Sequence, residues 1–232
     1  MSKPRTRRVV LIRCGQTDWD AEGRLAGTSD LPLSGDARAS LTDHAGTLRS
    51  VAFGCVWSAD DEASLETAAA VAGLPDQRAK VKKSDALREI SLGLWEGSLA
   101  RELAERCPSA FGRWCDDPGA ATPPQGESLV DVRDRLVAEC VRLLGKPRDD
   151  DQALVIVLRP VAWAVLGGAV TGLDALQLAK VSGAVGVCCE KTLKAEAESD
   201  ARLPNDIRAG LIDTVVPVAE FTATSRVVAA SA

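Results

Sequence analysis

Apolar positions along this chain follow two periods, and the two alternate. Residues 7–13 have a continuously apolar, branched centre, Val-Val-Leu-Ile, which predicts a strand buried on both faces. Ser34 then caps a predicted helix in which Ala37, Leu41, Ala45 and Leu48 recur at helical spacing. Residues 53–58 read as a second strand and 60–72 as a second helix. A polar connection follows, and residues 86–89 lead into REISLGLWEG, too rich in glycine for regular structure. Short helices are predicted over 98–106 and 109–115, before the turn-forming DDPGAATPPQGES. Ser128 starts a longer helix with Val132, Leu136, Cys140 and Leu143 on one face.

Residues 153–158, ALVIVL, form another fully apolar strand, and Pro160 stands where the first turn of a helix accepts proline. A strand over 185–189 is expected near the sheet edge. Strands alternating with helices predict an α/β layer structure with a mostly parallel sheet. In such sheets ligands collect beyond the carboxyl ends of strands, so chemistry is expected in the loops after Ile12, Ser58, Leu87 and Leu158. The expected organisation is a basic arm over 1–8, one domain over 9–205, and an extension over 206–232 to which no element is assigned.

Composition narrows the function classes. The formal net charge of −5 argues against general nucleic-acid or membrane-surface binding, and the basic run 3–8 reads as a solvated arm. Only four apolar residues follow that run, too few for a signal-peptide core or a membrane span. Cys14, Cys55, Cys107, Cys115, Cys140, Cys188 and Cys189 are scattered, odd in number and without a CxxC pair. Neither a zinc site nor a disulfide framework is expected, nor any cofactor; reduced thiols in the cytoplasm are. The chain has one histidine, His44, inside the helix that follows Ser34.

LIRCGQTDWDAEGRLAGTSDLPLS, WSADDEASLETA, LREISLGLWEG, PPQGES and LVIVLRP occur in this order. With them the chain resembles the histidine phosphatase superfamily, in its phosphoglycerate-mutase-like branch, from about Val9 to Pro160. The resemblance implies a three-layer αβα sandwich and metal-free phosphoryl transfer through a phosphohistidine. It matches Arg13 to the first phosphate-binding arginine, Gly15 to the loop glycine, Gln16 and Thr17 to substrate-facing loop positions, and Glu89 to the proton donor. At the nucleophile position stands Cys14. Ala63 replaces the second arginine, Arg159 the second histidine, and Pro160 the glycine after it.

With His44 alone, a two-histidine mechanism cannot be built. The expectation is therefore an inactive pseudophosphatase with a binding or regulatory role that keeps an anion pocket. One alternative is a phosphatase or phosphomutase acting on phosphate monoesters, with the Cys14 thiol in place of histidine. Against it, a cysteine-phosphatase loop needs arginine six residues after the cysteine, where Asp20 stands. A second alternative is a purely structural or protein-interaction partner. Arg13, Gln16, Thr17 and Arg159 are candidate contacts to a phosphate-containing small molecule or other anion; Arg13 and Arg159 could equally pair with Glu89 or a nearby aspartate. An oligomer is implied by the resemblance only. Trp95 and Glu96 read as packing and loop-shaping residues, and Trp19 either closes the mouth of the loop or packs in the core.

Overall fold

The computed structural model describes residues 6–45, 48–75, 77, 79–146, 152–173 and 211–217. Its centre is a five-stranded sheet in the order β3-β2-β4-β1-β5, from β1 (Thr6–Arg13), β2 (Cys55–Ser58), β3 (Lys80–Lys83), β4 (Leu154–Leu158) and β5 (Leu211–Pro217). The first four strands run parallel, with Val9 opposite Leu154, Arg13 opposite Leu158, and Trp57 opposite Ile156. β5 runs antiparallel to β1.

The continuous apolar runs hide a period of two. Val9, Leu11, Trp57, Leu154, Ile156 and Leu158 enter one core, whereas Val10, Val56, Val155 and Val157 enter the other. A sheet covered on both sides needs apolar side chains at every position, which is why β1 and β4 show no polar alternation. One face is covered by α6 (Leu129–Leu144) and α7 (Pro160–Thr171), through Val132, Leu136, Cys140, Leu143 and Val161 to Leu166. The opposite face carries α2 (Gly35–Ala45) and α3 (Glu62–Ala72), through Ala37, Leu41, Ala63, Ala68 and Val71. The three-layer α/β sandwich is thus in place. Fully burying one such Leu or Ile contributes about 1.5–3 kcal/mol.

Smaller elements frame the carboxyl ends of the strands: α1 (Asp18–Glu22), α4 (Ala100–Arg106), α5 (Pro108–Asp116), and 3-10 turns at Asp85–Leu87 and Gly93–Trp95. Trp95 packs edge-on against Phe111 and Trp114, at ring-centroid distances of 5.5 and 6.1 Å.

Several elements depart from the sequence pattern. The helix after Ser34 ends at Ala45, and Leu48, read as part of its face, is buried in the following turn. His44 falls in α2 as expected. β3 has the sequence Lys-Val-Lys-Lys, fully exposed; it is an edge strand, where lysines blunt unwanted pairing, so it carries no apolar signal. Within 206–232, residues Leu211–Pro217 pair along β1 from Thr6 opposite Pro217 to Ile12 opposite Leu211, leaving only Arg13 beyond the pairing. Thr6, Arg7 and Arg8, read as part of a solvated arm, lie in the sheet, and Arg7 is buried. The expected strand over 185–189, with Cys188 and Cys189, lies outside the described residues. No described helix is long and apolar enough to cross a membrane.

Candidate active site

The carboxyl ends of β1, β2 and β4 lie side by side, and β1 and β4 each lead into residues singled out in the sequence, Cys14 and Arg159. β1 ends at Arg13 and runs on into Cys14, whose N–H donates to the Leu158 carbonyl at 2.7 Å. That bond continues the ladder by one residue and fixes the direction of the Cys14 side chain. Its Sγ lies 3.5 Å from Thr67 Oγ1 and 3.3 Å from the Gly15 carbonyl, in the same core cluster as Ala63. Burial pushes the Cys14 thiol up to about 12, only partly offset by the Thr67 bond and by Arg159. At neutral pH this sulfur is a protonated thiol and a poor nucleophile.

The rest of the loop is similarly committed. Thr17 caps α1 reciprocally with Asp20: its Oγ1 and N–H each donate to Asp20 Oδ2 at 2.7 Å. Gln16 is exposed, and its carbonyl accepts from Ser34 N at 2.9 Å. At Gly15 a Cβ would stand 2.9 Å from Leu33 Cδ2, so any larger residue would push the Leu33 side chain aside. Arg13 is half-buried, and burial lowers its pKa against the pull of Asp20 and Cys14.

A cleft of about 200 Å³ opens beyond β2 and β4, lined among others by Asp60, Asp61, Arg88, Glu89 and Arg159. Arg13, Cys14, Gln16 and Thr17 are not among its lining residues. The expected anion contacts therefore divide: Arg159 faces the cleft, and the loop after β1 does not.

Arg159 is 2% exposed, and among the described residues its Nε has no hydrogen-bond partner. Among the described residues its ion pair is a long one, Nη1 to Asp61 Oδ1 at 3.6 Å. Burial opposes the guanidinium charge, but Cys14, Glu89, Asp20 and Asp61 together raise its pKa. Asp61 is anchored as the cap of α3, accepting from Ser64 N at 3.0 Å.

Glu89 is buried and makes no ion pair to Arg159 within 4.0 Å. Its carboxyl accepts three main-chain N–H bonds, from Ile90 at 2.9 Å, Val161 at 2.8 Å and Ala162 at 2.9 Å. The last two belong to the first turn of α7, where Pro160 has no N–H and the Arg159 side chain makes no capping bond. The carboxyl group of a distant loop thus accepts the free N–H groups at the start of α7. Burial raises the Glu89 pKa, while Arg159 and the three N–H groups pull the other way.

Across the cleft, Gly27 has φ +53°, and a Cβ there would meet Glu96 Oε1 at 2.5 Å. Glu96 accepts from Thr28 N at 3.2 Å and from Leu92 N at 3.0 Å, tying the rim together. It is the loop-shaping residue expected. Trp19 is half-buried, near enough to Gly97 that a Cβ there would stand 3.3 Å from Trp19 Cη2. Sequence reasoning missed Asp61, although aspartate just before a predicted helix is a preferred N-cap residue. Among the described residues no cluster of three metal-ligating side chains occurs.

Residues 9–197 match the family model described as the histidine phosphatase superfamily, branch 1. The glucosyl-3-phosphoglycerate phosphatase of Mycolicibacterium vanbaalenii is 33% identical over 174 residues, covering 73% of this chain and 76% of that one. Phosphoserine phosphatase 1 of Hydrogenobacter thermophilus is 27% identical over 167 residues, covering 72% and 77%. Among solved structures, Bacillus stearothermophilus YhfR superposes with a TM-score of 0.66 at 27% identity, covering 73% and 82%. The mycobacterial glucosyl-3-phosphoglycerate phosphatase Rv2419c with VO3 gives 0.63 at 28%, covering 74% and 85%.

The two curated relatives and the mycobacterial structure are named as phosphatases, which overturns the expectation of an inactive pseudophosphatase and points to an active enzyme. Nor do Glu89 and Arg159 fill the cleft by pairing with each other, since no ion pair within 4.0 Å joins them. Glu89 and Arg159 still meet at an open cleft.

Proposed function

This chain belongs to the histidine phosphatase superfamily, branch 1, and from that premise we propose that it hydrolyses phosphate monoesters in the cleft at Arg159. One observation carries the reading: a guanidinium that is almost wholly buried, with an unpartnered Nε, lines that cleft together with a carboxyl whose pKa burial has raised. A guanidinium fork offers two parallel N–H donors to phosphoryl oxygens, and phosphoryl transfer depends mainly on such positioning and charge.

Each residue then takes a role that its surroundings support. Arg159 binds the phosphoryl oxygens. Glu89, kept protonated to higher pH than an ordinary carboxyl, gives its proton to the departing ester oxygen. Water attacks phosphorus, and Asp61, which lines the cleft, takes the water proton. The oxygen–phosphorus bond to water forms as the ester bond breaks, leaving inorganic phosphate and an alcohol. Cys14 takes no part in bond-making, because its sulfur is buried and protonated.

The test incubates the full chain with p-nitrophenyl phosphate, glycerol 3-phosphate and phosphoserine, followed by acid quench. Released phosphate without label on the protein is the expected result. Phosphorylated Cys14, or no release from any ester, contradicts the reading.

A further inference from the structure

Among the described residues, every hydrogen bond to the Glu89 carboxyl comes from a main-chain N–H group. Its placement therefore depends on what holds the loop that carries it. That loop is gripped by Arg135 of α6, which reaches across with all five of its N–H donors engaged. Nη1 donates to the Ala86 carbonyl at 3.1 Å and to the Arg88 carbonyl at 2.7 Å. Nη2 donates to the Glu89 carbonyl at 3.0 Å and to Glu127 Oε2 at 3.0 Å. Nε donates to Glu127 Oε1 at 3.1 Å.

Glu127 completes the clamp. It also accepts from Arg88 Nη2 and from Ser91 N, each at 2.9 Å. Its burial raises its pKa, but Arg135, Ser91 and Arg88 outweigh this and hold it below the usual range. α6 itself cannot shift easily, because Val132 and Leu136, flanking Arg135, are fully buried. A rigid helix thus fixes three carbonyls of one short loop, and that loop delivers Glu89 to the start of α7.

We propose that Arg135 is a positioning residue, which sets the Glu89 carboxyl against Arg159 and the first turn of α7 by holding the main chain of residues 86–89. The kinetic meaning of this assignment rests on the phosphatase reading; the geometric part does not. The charged groups sharing the cleft with Glu89 are Arg159, Arg88, Asp60, Asp61 and Asp85. None of these changes identity in the variants below.

R135K keeps the charge but loses the planar fork, so the carbonyls of residues 86, 88 and 89 cannot all be held. Displacing a reacting group by about 1 Å costs roughly 10²-fold, so kcat for glycerol 3-phosphate is expected to fall by that order with KM little changed. p-Nitrophenyl phosphate, whose leaving group needs little protonation, is expected to lose far less. The alkaline limb of the pH profile is expected to move to lower pH, as water reaches Glu89. Equal losses on both esters with an unmoved limb would make Arg135 merely structural and overturn the proposal.

If the wild-type chain turns over neither ester, the phosphatase reading fails and the positioning claim is judged separately. Carbon-13 titration of the Glu89 carboxyl in wild type and R135K then decides. A fall in its pKa supports the proposal, and an unchanged titration overturns it. If R135K does not fold, E127Q, which removes the anchor of Arg135 and keeps its shape, is read by the same two criteria.

Discussion

Burial raises the pKa of both Cys14 and Glu89, with opposite chemical consequences. A nucleophilic sulfur needs its proton removed, and a proton donor needs its proton kept. Replacing Glu89 with Gln is expected to lower kcat by roughly 10²–10⁴-fold, the usual contribution of a general acid. Activity should also fall as pH rises through the Glu89 pKa, which lies above the ordinary carboxyl value. Stability follows the same sign. The contribution linked to Glu89 is fully present below the unfolded carboxyl pKa and is lost as pH rises through the folded one. In the folded chain the exposed Cys107 should alkylate well before the buried Cys14, as read by peptide mass spectrometry; comparable rates would contradict the burial of Cys14. The identity of the residue at position 14 was legible in the sequence, as was the matched position of Glu89. The setting of Arg159, with its Nε left without a hydrogen bond among the described residues, was not, because it depends on β4, the β2–α3 loop and the Glu89 loop converging in space.

At the scale of elements, capping explains both what was read and what was missed. Ser128 was legible as the start of α6 because its partner is local: its Oγ accepts from Asp131 N at 3.1 Å. Ser128→Ala should cost about 1 kcal/mol in chemical denaturation. The cap of α7 is Glu89, more than seventy positions away in sequence, and no local pattern announces it. Ala63 gives a further test at this scale. The resemblance matches it to a phosphate-binding arginine, yet it is fully buried in the core cluster that also holds Val10 and Leu33. Ala63→Arg should therefore destabilise the chain, at the upper end of single-substitution effects, above about 4 kcal/mol, rather than rebuild a phosphate contact. A denaturation midpoint equal to wild type would show that the arginine escapes to the cleft.

For the molecule as a whole, the sheet was legible where it is buried on both faces and illegible at its edges. β1 and β4 announce themselves by branched apolar runs, since both faces meet a core. β3 is exposed and lysine-rich, and β5 lies in a weakly patterned stretch, so neither gave a period. β5 nevertheless covers the outer edge of β1 from Thr6 to Ile12, with Ile212 2% exposed. Ile212→Ala should cost about 2–5 kcal/mol in urea unfolding, and a negligible change would mean that β5 is not part of the cooperative unit.

Phosphate-ester chemistry is expected at Arg159 and not at the Cys14 thiol. Steady-state phosphate release from one set of monoesters, by wild type, Cys14→Ala and Arg159→Ala, tests this most directly. Turnover is expected from wild type and from Cys14→Ala, with a loss of roughly 10²-fold or more in Arg159→Ala, the scale on which removing one oriented charge donor is felt. Turnover that survives in Arg159→Ala and disappears in Cys14→Ala would place the chemistry at the thiol and contradict it.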